Sequence, residues 1–79
     1  MKANSETVIE EVRQLVAKII ETNPAKVDLD ARFEDLGADS MMMLEILVAV
    51  EKKFKIEIPE SDLPKMTSLK EIINILNSR

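Results

Sequence analysis

The sequence predicts an all-α domain, a small four-helix bundle of three principal helices and one short one, with a long loop between the first and second. Three observations carry that expectation. Apolar residues recur at spacings of three and four in three separate stretches. Aromatic content is 3%, from Phe33 and Phe54 alone, so the 46% of hydrophobic residues must build an aliphatic core, which favours helix packed on helix. At 79 residues the chain is one domain, residues 1–79, near the size at which a single hydrophobic core just suffices.

The first helix is read from Ser5 to about Glu21, where Val8, Val12, Leu15, Val16, Ile19 and Ile20 share one face and Asn4 or Ser5 offers an N-cap. Thr22-Asn23-Pro24 ends it, because proline lacks a backbone donor and drives the residue before it out of helical geometry. Residues 23–39 form a long connection holding the only glycine, Gly37, and the apolar residues Val27, Leu29, Phe33 and Leu36 are expected to pin it to the core. Connections of this length are uncommon in small domains and are often functional.

The second helix is expected from about Ser40 to Phe54, with Met43, Ile46, Leu47, Val50 and Phe54 on one stripe. Met41, Met42, Leu44 and Val48 lie outside that stripe, and Glu45 is the one charged residue between 41 and 50. A helix so apolar all round needs a second cover besides its own core. Pro59 to Leu63 reads as one short helical turn before Pro64. Ser68 with Glu71 three residues later makes a capping-box signature, and Leu69, Ile72, Ile73 and Leu76 form the buried face of the last helix.

Composition removes most catalytic classes. There is no cysteine, hence no disulfide framework and no thiolate, and no histidine to shuttle protons near neutral pH. Carboxylates, lysines and hydroxyls remain, and Ser40 has no histidine base, so the chain is expected to lack a catalytic site of its own. Asp28-Leu29-Asp30 resembles the start of a calcium loop, but Arg32 and Phe33 fall where such a loop needs a ligand and a glycine, and no metal is expected. The N-terminal residues 1–11 are polar and carry Lys2, Glu6, Glu10 and Glu11, unlike a signal peptide or a membrane span, so a cytoplasmic chain without membrane insertion is expected, and the start at Met1 and close at Arg79 suggest a free-standing one.

The net charge of −4 is unevenly spread: residues 21–45 hold seven acids and two bases, whereas residues 46–79 hold five acids and six bases. The acidity surrounds Ser40. Such a field disfavours nucleic acid and favours partners with basic docking surfaces.

Asp35-Leu36-Gly37-Ala38-Asp39-Ser40-Met41 stands at the junction of the long connection and the second helix, and with it the chain resembles the acyl carrier protein family, whose attachment motif is Asp-Ser-Leu or Asp-Ser-Met. The likeness extends over Phe33 to Ser40, Val50-Glu51-Lys52-Lys53-Phe54, Ile56-Glu57-Ile58-Pro59 and the helix after Met66-Thr67-Ser68. It implies that Ser40, flanked by Asp39, receives phosphopantetheine from coenzyme A by the action of a phosphopantetheinyl transferase. The terminal thiol would then carry an acyl chain among acyl transferases, ketosynthases, reductases and dehydratases, with the carrier as a monomer. Read from the residues alone, Asp39 and Ser40 are equally suited to capping the helix.

The resemblance also implies an acyl cavity lined by Met43, Ile46, Leu47, Val50, Leu63, Leu69 and Ile73, and a docking face of Asp35, Met41, Met42, Glu45, Val48, Glu51, Lys52 and Ile58. Met42, Lys52 and Lys53 stand where fatty-acid carriers commonly keep acids. The docking face is therefore expected to be more apolar and less acidic, with Met41 to Met43 as an adaptable contact suited to a specialised fatty-acid or polyketide pathway. Two other functions fit the same residues: a peptidyl or D-alanyl carrier with an aminoacyl load, and a helical adaptor that is never modified.

Overall fold

Of the two candidate caps Asn4 and Ser5, Ser5 opens the first helix, with Oγ accepting a hydrogen bond from the Val8 N–H at 3.2 Å. The structure is a computed structural model and describes residues 2–78. Helix α1 runs Glu6–Ile20 and buries Val12, Val16, Ala17 and Ile20. Its end differs from the proline stop read in the sequence. Glu21 turns left-handed at φ 62 and sends its N–H back to the Ala17 carbonyl, so the helix has closed before Pro24, which instead begins a 3-10 turn over Pro24–Lys26.

On the exposed side of α1, the Glu10 carboxylate accepts hydrogen bonds from Gln14 Nε2 at 2.8 Å and from Arg13 at 2.5 Å. The Gln14 bond foremost, then the Arg13 bond, hold the Glu10 carboxyl below the usual carboxylate range. A carboxyl lowered by folding stabilises the fold above its unfolded pKa and loses that contribution as pH falls through its folded value. Glu10→Gln is therefore expected to match the wild type in acid and to fall slightly below it toward neutral pH, as measured by urea denaturation across pH 3–7.

The connection after α1 is folded throughout its described length. Two 3-10 turns, Pro24–Lys26 and Phe33–Leu36, occupy it, and it is held to the rest of the domain by buried side chains and by hydrogen bonds of its backbone. Arg13 Nε donates to the Val27 carbonyl at 2.8 Å, the Lys70 N–H to the Leu29 carbonyl at 3.0 Å, and the Phe33 N–H to the Thr67 carbonyl at 2.9 Å. Arg32 and Ser68 form an antiparallel bridge at the same place. Val27 and Phe33 are fully buried as expected, but Leu29 is 41% exposed: its carbonyl anchors the connection and its side chain does not.

Helix α2 spans Ser40–Phe54, with Ile46, Leu47 and Val50 buried. Lys55, left-handed at φ 54, ends it, and the half-buried Glu51 reaches forward so that Oε2 accepts from the Ile58 N–H at 2.8 Å. The short helix is a 3-10 run over Glu60–Lys65 that contains Pro64, longer than the single turn expected before that proline. Helix α3, Leu69–Asn77, is capped by Ser68, whose Oγ accepts from the Glu71 N–H at 3.4 Å.

The three α-helices and the connection enclose one core, with Phe33, Met66, Leu69, Ile72 and Leu76 among its largest buried side chains. Asn77 joins the two ends of the described chain. Its Oδ1 accepts from the Ala3 N–H at 2.6 Å, and its Nδ2 donates to Asn4 Oδ1 at 2.9 Å. No helix among the described residues is long and apolar enough to cross a membrane.

Candidate functional site

The approach to Ser40 is set by three consecutive backbone events. Phe33, buried and tied to Thr67, anchors the 3-10 turn Phe33–Leu36. Gly37 then adopts φ 93, a region that a side chain resists, and reverses the chain so that the Ala38 N–H meets the Phe33 carbonyl at 3.0 Å. A Cβ at Gly37 would meet nothing within 4 Å, so its backbone angle, not a lack of room, calls for glycine. Asp39 completes the turn as the N-cap of α2, with Oδ1 accepting from the Met42 N–H at 2.9 Å.

Ser40 is consequently the first residue of α2, and it is exposed. The N–H groups of Ser40 and Met41 belong to the first turn, where no intrahelical carbonyl can reach them, and the positive end of the helix dipole lies at the same point. Capping at this junction belongs to Asp39, which leaves the Ser40 hydroxyl without a hydrogen-bond partner among the described residues. Asp39→Ala is expected to cost about 1 kcal/mol of stability through loss of the cap. Chemical denaturation against the wild type checks this.

Ser40 opens onto a cleft of about 400 Å³ walled by the start of α2, the Phe33–Leu36 turn and the segment from Leu63 to Thr67. Met43 and Leu63, expected in an acyl cavity, line it. Ile46, Leu47, Val50, Leu69 and Ile73 do not; all five are buried among the other core side chains. Phe33, Ala38 and Met66 complete the apolar wall. Met66 had no periodic signal, because it follows an irregular turn. A larger hollow of about 1020 Å³ lies along α1 beside Lys53 and shares no lining residue with the Ser40 cleft.

The outer face of α2 carries the expected apolar patch. Met41 is 71% exposed, and Leu44 and Val48 are about half as exposed, at 40% and 39%. With Ile19, Glu45, Ala49 and Lys52 they line a groove of about 460 Å³. Asp35 is exposed beside the junction, and Met42 is half-buried. Two residues expected on this face are used otherwise. Ile58 is 4% exposed and belongs to the core, and the Glu51 carboxylate holds the Ile58 N–H. Lys53 pairs with Glu11 of α1 at 3.6 Å.

Ser40 is thus an exposed hydroxyl at a helix start, with first-turn N–H groups around it and a lined cleft beside it, in an all-helical domain. Residues 10–76 match the family described as the phosphopantetheine attachment site. Among similar proteins are acyl carrier proteins of Campylobacter hominis, 40% identical over 90% of this chain and 91% of theirs, and of Campylobacter concisus, 39% identical over 87% and 91%. That of Thermosynechococcus vestitus is 32% identical over 96% and 95%. Among solved structures, a free-standing peptidyl carrier protein from an Acinetobacter baumannii secondary metabolic pathway superposes with a TM-score of 0.76 at 26% identity, covering 91% of each chain. The chain belongs to the acyl carrier protein family, whose prosthetic group is phosphopantetheine.

Proposed function

We propose that Ser40 is the attachment residue and that the chain carries fatty-acyl or related acyl groups, in the cytoplasm and as a monomer, between the enzymes that build and modify them. The observation that carries this reading is the exposed Ser40 hydroxyl at the first position of α2, without a hydrogen-bond partner among the described residues. In the loading reaction the Ser40 Oγ–P bond forms as the pyrophosphate P–O bond of coenzyme A breaks. Adenosine 3′,5′-bisphosphate would leave, and the hydroxyl proton would pass to a base of the transferase. The group, once attached, supplies a terminal thiol that holds the acyl chain as a thioester.

The protein's own residues position and shield. Asp39 fixes the start of α2, the Ser40 and Met41 N–H groups face the attachment point, and Met43, Leu63, Phe33 and Met66 offer an apolar wall. Asp35, Met41, Met42, Glu45, Val48 and Lys52 form the face for transferase, acyl transferase, ketosynthase, reductase and dehydratase, with Leu44 added and Ile58 and Glu51 withdrawn for the reasons above. The exposed apolar groove and Lys52 at its rim favour a specialised pathway.

An aminoacyl load is the second reading, favoured by the likeness to a peptidyl carrier protein. Intact mass after incubation with coenzyme A and a broad-specificity phosphopantetheinyl transferase tests the first claim: the expected result is one phosphopantetheinyl group, mapped to the peptide holding Ser40. A folded chain that gains no mass overturns it. Loading of the modified chain by a malonyl transferase and not by an amino-acid-activating enzyme separates the two loads.

A further inference from the structure

The charges around the Ser40 cleft are unbalanced. Glu34 and Asp39 line it as carboxylates, and Arg32 is the one cation among its lining residues. An anion attached at Ser40 brings a further negative charge to a cleft that already holds two. Its cost falls if a cation is at hand.

Arg32 is fixed at its base and only loosely paired at its tip. Its backbone bridges to Ser68, and the next residue donates its N–H to the Thr67 carbonyl. The guanidinium, by contrast, meets Glu34 at 3.7 Å, with the two side chains 63% and 81% exposed. An ion pair so exposed is worth little and is readily exchanged for a better partner. The guanidinium is permanently charged and presents a planar fork of donors that fits phosphate or carboxylate oxygens.

Resting on the reading of Ser40 as the attachment residue, we infer that Arg32 is an anion-binding group of this cleft, exchanging Glu34 for a singly charged oxyanion of the attached arm. Two oxyanions meet that chemistry: the phosphodiester at Ser40, and the far carboxylate of a dicarboxylic acyl load.

The test compares urea denaturation of the unmodified, phosphopantetheinylated, acetyl-loaded and malonyl-loaded chain, each as wild type, Arg32→Gln and Arg32→Lys, at low salt. The unmodified forms supply the baseline for any purely structural role of Arg32. Modification is expected to shift the unfolding equilibrium constant more favourably in the wild type than in Arg32→Gln, by about two- to fivefold. Arg32→Lys should keep part of that difference, and about 1 M salt should remove it. A difference that arises on phosphopantetheinylation and is indifferent to load assigns the phosphodiester. One that arises with malonyl and not acetyl assigns the carboxylate. Equal shifts in wild type and Arg32→Gln at every stage, with modification complete by mass, overturn this inference alone, whereas failure of the wild type to gain mass overturns the reading of Ser40 and this inference with it.

Discussion

Ser40→Ala is expected to abolish phosphopantetheine attachment completely while leaving the fold in place. The hydroxyl is the only atom the substitution removes, and it is exposed and makes no hydrogen bond among the described residues. The N-cap of α2 belongs to Asp39, so helix initiation survives, and alanine is a good helix former at the first helical position. Stability should stay within about 0.5 kcal/mol of the wild type, as for most exposed substitutions away from special features. The expected pair of results is therefore an unchanged thermal transition by circular dichroism and zero mass gain with coenzyme A and transferase. If the variant still gained a phosphopantetheinyl group, the attachment would lie at another hydroxyl, with Ser61 and Ser68 the serines nearest along the chain toward its C-terminus. Of those two, Ser68 is buried and spends its oxygen on the cap of α3, which leaves Ser61 as the residue to substitute next.

Phe33→Ala is expected to be the most damaging substitution to the fold. Phe33 is 1% exposed and is the only fully buried aromatic residue in a core otherwise made of aliphatic side chains and Met66. Truncating a buried phenylalanine costs about 3–5 kcal/mol. A domain of this size has a total stability of roughly 4–12 kcal/mol, so the variant approaches the threshold of folding. The thermal midpoint should fall by roughly 12–40 °C. The same side chain walls the Ser40 cleft and anchors the turn from which Gly37 and Asp39 proceed, so the variant should also accept phosphopantetheine more slowly at temperatures where it is still folded. A midpoint displaced by less than about 5 °C would mean that the connection is held by the bonds of its backbone to Arg13, Lys70 and Thr67 without help from the aromatic ring.

The departures from expectation have a common cause. Leu29 was expected to anchor the connection by its side chain and Ile58 to sit on the docking face, while Ile46, Leu47, Val50, Leu69 and Ile73 were expected in the core and, by the resemblance, in an apolar cavity between helices. In the fold Leu29 acts through its carbonyl on Lys70, Ile58 is buried with its N–H on Glu51, and the five aliphatic residues fill the core without reaching the cleft. Apolar character tells that a residue seeks cover; it does not tell which neighbour provides it. The cleft wall contributed by Met66 and the cation contributed by Arg32 depend on the segment before α3 lying against the Phe33 turn, a juxtaposition of residues more than 30 positions apart.

By itself the sequence determined the three α-helices, the start and end of α2 at Ser40 and Phe54, the cap at Ser68, a cap of α1 at Asn4 or Ser5, and the placing of Ser40 at a loop-to-helix junction, together with the absence of a histidine or cysteine to do chemistry there. These are local properties: a cap acts over three residues and a helical stripe over four, so both are written in contiguous sequence. Tertiary structure alone decided that the connection folds into two 3-10 turns held by Arg13, Lys70 and Thr67, that Glu51 is spent on Ile58, and that the cleft at Ser40 carries one cation against two carboxylates. The physical reason is that a backbone donor takes whichever acceptor the packed helices bring to it, and that choice is made only when the core closes.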